Sequence, residues 1–161
     1  MLARAKPISR HRRAAALARA CLVAAGLGLQ TNLLFGATVE AVKISQAWVP
    51  PADRAGHDLP LSMTIKNEAD TADTLMRVRC PVANFSEKHI VDRGEGAPAM
   101  RAIPAIPIAA NSTIVLKPDG YHVMLLQTRQ ALAEGQTFTC AVVFQKAGTI
   151  EMEVRVSRSP S

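Results

Sequence analysis

Residues 113–126 read Thr113-Ile114-Val115-Leu116-Lys117-Pro118-Asp119-Gly120-Tyr121-His122-Val123-Met124-Leu125-Leu126. Two short apolar runs rich in β-branched residues flank Pro118-Asp119-Gly120, a triplet suited to a tight turn: proline presets one φ angle and glycine accepts a positive one. The runs are too short for helices, so the stretch reads as strands Thr113 to Lys117 and His122 to Leu126 joined by that turn. Alternate residues of a strand share a face, which puts His122 and Met124 together and sends Val123 and Leu125 into a core.

Working outward, the same pattern repeats. Further strands are expected over Lys43 to Val49, Leu61 to Lys66, Thr74 to Cys80, Glu87 to Val91, Gln136 to Phe144 and Thr149 to Val156. Between them lie Pro50-Pro51, Asn67 to Asp70, Gly94 to Pro98 and Lys146-Ala147-Gly148, all turn chemistries. One helix is expected, over Thr128 to Glu134. Short strands at about 8–12-residue intervals, with no internal repeat, argue for an all-β antiparallel sandwich or barrel.

The chain has 161 residues, 48% of them hydrophobic, enough for one cored domain plus an extension. Its net charge of +6 is unevenly placed. Residues 1–41 hold six of the 19 basic residues and one acid, Glu40, leaving 13 basic and 12 acidic residues beyond. A body this close to neutral, with 4% aromatic residues, gives no warrant for nucleic-acid binding. The basic segment Met1 to Arg13 followed by the Ala/Leu-rich run Ala14 to Leu29 has the order of a secretory signal, with cleavage expected near Ala41. Gln30-Thr31-Asn32 breaks the apolar run short of the ~20 residues a membrane span needs, so membrane attachment is expected only through an uncleaved leader. Arg19 spoils Ala18-Arg19-Ala20-Cys21 as a lipidation box. The division expected is a signal segment 1–41, a domain 42–156 and a disordered tail 157–161, in an exported, periplasmic protein.

Export changes the reading of the cysteines. Cys21 lies in the leader, so the processed chain keeps Cys80 and Cys140 in an oxidising compartment. Alternation groups Met76 and Val78 with Cys80, and Phe138, Val142 and Phe144 with Cys140, so both sulfurs are expected to face inward. A Cys80–Cys140 disulfide is the hypothesis; two buried, separate thiols are the alternative. Met63 likewise has a core parity.

Signatures of enzymes are missing: no His-Glu-x-x-His, no Gly-x-Ser-x-Gly and no phosphate-cradling loop with Lys. An enzyme is not expected. What remains is a placement of imidazole and thioether donors, His89-x10-Met100-x21-His122-x-Met124. Thioethers are soft ligands that hold Cu(I) well and hard divalent cations badly, while imidazole suits several transition metals. Singly, each residue has a plainer reading: His89 as a solvated residue beside Glu87 and Lys88, Met100 as filler under a Pro-rich loop, His57 as a bystander. The joint spacing of four residues overrides those readings.

That spacing resembles the signature of the PCu(A)C-type periplasmic copper chaperones. The block Leu116 to Leu125 is similar to the family's most recognisable stretch, as are Ala47-Trp48, Thr64-Ile65-Lys66-Asn67, Pro81-Val82-Ala83 and Phe144-Gln145-Lys146-Ala147-Gly148. The resemblance runs from about Val42 to Val156. It implies a cupredoxin-like (Greek-key, immunoglobulin-like) β-sandwich that binds one Cu(I) through His89, Met100, His122 and Met124. It further implies delivery of that ion for cytochrome c oxidase assembly, to an oxidase subunit or a Sco-type assembly protein. The chain departs from the family where His89-Ile90-Val91 stands in place of His-x-Met, and it carries no Met- and His-rich C-terminal extension, so a single site is expected.

Neutral nitrogen and sulfur donors on a surface-facing strand and a neighbouring loop would favour the reduced ion and let an incoming partner's ligands replace them one at a time. Affinity resting on imidazoles should fall as pH drops through ~6.5. Two other classes compete. A blue-copper electron carrier would need a cysteine thiolate beside its histidines, and an extracytoplasmic β-sandwich without metal would serve assembly or adhesion.

Overall fold

A computed structural model describes residues 41–94 and 96–158, and every regular element among them is a strand. The expected leader and the last three residues fall on 1–40 and 159–161, outside the described residues. The ten strands are β1 (Val42–Val49), β2 (Leu59–Asn67), β3 (Asp73–Arg79), β4 (Ala83–Asp92), β5 (Ala99–Ile103), β6 (Ile106–Ile108), β7 (Ser112–Leu116), β8 (Tyr121–Thr128), β9 (Thr137–Phe144) and β10 (Gly148–Val156). They follow the order β5-β4-β8-β2-β1-β10-β9-β3-β6, with β7 also on β2.

The all-β sandwich expected from the turn spacing is the fold. Its hinge is β2, whose first half (Leu59–Leu61) pairs with β8 and whose second half (Met63–Asn67) pairs with β7. One strand thus serves both layers. Pairings are antiparallel except at the end of β1, where Trp48 and Val49 lie parallel to Arg155 and Val156 of β10. A register shift between Ser45 and Trp48 lets β1 make that switch, and Gln46 takes φ 52° there. Between the layers lie Leu61, Met63, Ile65, Leu75, Leu116, Val123, Leu125, Val142 and Val154, all buried. This apolar interior is the main drive to fold, at about 25 cal/mol per Å² removed from water.

Cys80 and Cys140 form the expected disulfide, with Cα atoms 4.4 Å apart. It ties the end of β3 to β9, one residue beyond the paired Arg79 and Ala141.

Buried polar side chains satisfy the turns. Asn67 accepts from Ala69 N–H at 3.0 Å and donates to the carbonyls of Thr71 and Ala109, locking the Asn67 to Asp70 bend. Asp73 accepts from the amides of Thr74, Lys146 and Ala147 at 2.6, 2.9 and 2.9 Å, fastening the β9–β10 turn to β3. Burial works to raise its pKa, but those three donations outweigh it and hold the carboxyl below its ordinary value.

Several expectations are corrected. Residues 128–134 form no helix: Leu132 is buried and exchanges both backbone bonds with Ala52 at 2.8 and 3.0 Å. A seven-residue helix would barely exceed its nucleus, and burying Leu132 offers more. Met76 is exposed, because a register shift between Leu75 and Arg77 turns it outward and hands its core place to Leu75. The Pro118-Asp119-Gly120 turn forms, closed by Gly120 N–H to Lys117 O at 3.0 Å, yet Gly120 keeps an ordinary φ. Pro118 and Asp119 take the two central positions, so the glycine comes fourth, where no positive φ is needed. Strands β5 and β6 lacked a readable alternation; pairing with β4 and β3 creates them.

Candidate metal centre

The centre is built on β4, β5 and β8. Antiparallel pairing sets His89 directly opposite His122, and Glu87 opposite Met124. On the other side of β4, Val91 faces Met100. Directly paired residues share a face, so His89, Met100, His122 and Met124 all stand on one surface of this layer. Val123 and Leu125, with the opposite parity, are fully buried in the core as expected. Met124 is two residues along from His122, roughly 7 Å at the rise of a strand.

The two imidazoles meet edge to face, with centroids 5.5 Å apart and planes at 87°. Both are buried, with 8% of His89 and 2% of His122 exposed, whereas Met100 is 60% exposed. The expectation that the whole donor set would be solvent-facing is therefore corrected. The thioether of Met100 lies against the buried imidazole of His122, and Met100 sits on a strand rather than in a loop.

Each ring has its proton placed by a neighbour. His122 Nδ1 lies 3.0 Å from the carbonyl of Gly120. A carbonyl only accepts, so Nδ1 carries the hydrogen and Nε2 keeps a lone pair. That Nε2 is 3.3 Å from Met100 Sδ. Neither atom then has a proton to offer the other, so the contact is two electron-pair donors face to face. Both atoms would be open to hold a soft metal ion.

His89 is arranged the same way through its other nitrogen. Its Nε2 lies 3.1 Å from Glu87 Oε2, so the carboxylate accepts there and Nδ1 is left as the acceptor. That Nδ1 is buried and has no hydrogen-bond partner. Buried polar atoms are seldom left so, since desolvation without a partner costs about 1–3 kcal/mol. A carboxylate holding the distal N–H of a histidine is also the usual support for a metal-ligating imidazole.

Glu87 is the contributor that sequence reasoning used only as a solvated neighbour of His89; its parity on β4, two residues before His89, was the available signal. His57 stands apart and bonds Asp53 at 3.0 Å. Among the described residues no group of three His, Cys, Asp or Glu side chains forms a metal cage. The thioethers of Met100 and Met124 on this face are soft donors, a type suited to a monovalent ion.

The fold has solved counterparts. The chain is similar to the copper-bound PCuAC domain from PmoF2, with 24% identity and a TM-score of 0.63 over 74% of this chain and 94% of that one. It is similar to the apo PCuAC domain from PmoF1, with 23% identity and a TM-score of 0.62 over 74% and 95%. It is similar again to CuI-DR1885 from Deinococcus radiodurans, with 23% identity and a TM-score of 0.59 over 76% and 84%. No curated protein matches the chain. The family described as putative lipoprotein LpqE-like matches residues 42–156, nearly all of the strand-forming body, and the chain belongs to that LpqE-like family.

Proposed function

We propose that this protein is an extracytoplasmic Cu(I) carrier that takes up one ion between His89, Met100, His122 and Met124 and passes it on by ligand exchange. The observation that carries the reading is the pair of unprotonated ring nitrogens: His122 Nε2 against Met100 Sδ at 3.3 Å, and His89 Nδ1 buried without a partner. Copper-bound and Cu(I) forms among the similar PCuAC structures support it.

Two neutral imidazoles and two thioethers leave the ion's single positive charge in place, and they lack the hard, tetragonal donors that Cu(II) prefers. The imidazoles are the fixed half of the set, each oriented by an acceptor behind it. The exposed Met100 is the movable half, on a flexible side chain at the solvent boundary. An acceptor's thiolate or imidazole would displace that sulfur first, so the ion moves without being released. The acceptor proposed is a copper-receiving oxidase subunit or a Sco-type assembly protein in the periplasm. A blue-copper electron carrier is disfavoured, since Cys80 and Cys140 are spent on a disulfide and supply no thiolate.

The test is anaerobic Cu(I) titration against a competing chelator. One equivalent should bind, and affinity should collapse in both Met100→Ala and His122→Ala. Unchanged affinity in either variant would refute the site.

A further inference from the structure

We propose that the cleft between β3 and β4 is a docking groove for an acidic, extended peptide segment of a partner protein. It goes beyond the copper reading and does not depend on it. The cleft encloses about 610 Å³ and is lined by Arg77, Arg79, Lys88 and Arg129, against one carboxylate, Glu151. Among the described residues none of these four cations has an ion pair, whereas Lys43, Arg54, Lys66, Arg101, Lys117 and Arg158 each have one. Of the seven described cations beyond position 41 that have no ion pair, four thus line this one trough. Burial, and then the charge of Arg77, hold the Lys88 ammonium below its ordinary pKa against the opposing charge of Glu87.

The shape selects the occupant. β3 pairs with β6 only over Asp73–Leu75, so the stretch from Met76 to Arg79 has no strand on the side facing β4. Side chains span the gap instead: Ser86 Oγ donates to Val78 O, and Lys88 Nζ donates to Met76 O at 2.8 Å. Two strand backbones held a side chain apart make a concave trough, which admits a single chain and excludes the flat surface of a bilayer. Arg77 and Arg79 are alternate residues of one strand, roughly 7 Å apart, matching the spacing of alternate side chains along an extended peptide. Phe85, 61% exposed, lines the cleft and offers apolar contact.

The test is titration of the purified, isotopically labelled protein without copper, using a hexaglutamate peptide in low salt and following backbone amide shifts. Support would be shifts confined to β3, β4 and the residues around Arg129, a weakening of at least tenfold in Arg79→Glu/Arg129→Glu, and unchanged Cu(I) affinity in that variant. The milder Arg79→Gln/Arg129→Gln pair should weaken binding in the same direction, should charge reversal unfold the protein. The proposal is overturned by shifts scattered over the surface, by peptide affinity indifferent to the substitutions, or by inorganic phosphate giving the same shifts at the same concentration. Binding to phosphatidylglycerol vesicles without binding to the peptide would overturn it too.

Discussion

His122 Nε2 and Met100 Sδ face each other at 3.3 Å across strands that the chain separates by 21 intervening residues, and neither atom carries a proton to share. The contact exists because Gly120 O takes the other ring proton of His122 and because β5 pairs with β4 in the register that brings Met100 to the same face. A cation with an appetite for nitrogen and sulfur would turn that poor contact into two bonds.

Removing the acceptor behind His89 should weaken metal binding without disturbing the fold. Glu87 holds the distal N–H of that ring, and without it the imidazole is free to put its proton on the nitrogen that should ligate. Glu87→Ala is expected to lower Cu(I) affinity by about tenfold, the lower end of what outer ligands usually contribute. Glu87→Gln, whose amide oxygen also accepts, should restore much of it. Chelator competition gives the affinities and circular dichroism checks the fold; equal affinity in all three proteins would exclude this role.

The Cys80–Cys140 bond joins residues 60 apart in sequence, tying the residue after β3 to β9, and neither cysteine belongs to the proposed donor set. Cys80→Ser/Cys140→Ser should cost about 2–4 kcal/mol in denaturant unfolding. One equivalent of Cu(I) should still bind. In the oxidised protein neither thiol should react with an alkylating reagent before reduction, and labelling of both would show that the bridge is absent.

Asp73 makes a pH prediction whose sign follows from its lowered pKa. The carboxylate's stabilising contribution is fully present above its unfolded value near 3.8 and is lost as pH falls from there through the lower folded value. Asp73→Asn keeps one acceptor oxygen for three amides and should cost about 1–3 kcal/mol at pH 7. The gap between wild type and variant should narrow only below about pH 4. A gap that stays constant down to pH 2 would contradict the ionised carboxylate.

Much of this was legible from strand parity. The alternation through Tyr121 to Leu126 needs no partner to separate His122 and Met124 from Val123 and Leu125, and burial of both apolar residues follows it. The cysteines were legible for the same reason, since each sat among apolar residues of its own parity. What parity could not carry was anything decided between strands. Met100 lies in an Ala- and Pro-rich stretch with no alternation, and only pairing with Val91 makes that stretch a strand. Met76 follows the local pattern faithfully, but an irregularity in the β3–β9 ladder displaces it. The pairing that sets His89 opposite His122 is likewise a long-range contact with no local trace in either histidine's neighbours.

X-ray absorption at the copper edge, on protein loaded anaerobically with one equivalent of Cu(I), addresses the donor set itself. Two nitrogen neighbours and two sulfur neighbours, with the sulfur count falling by one in Met100→Ala, is the expected spectrum. A first shell of oxygen alone, or a sulfur count indifferent to that substitution, would contradict the account.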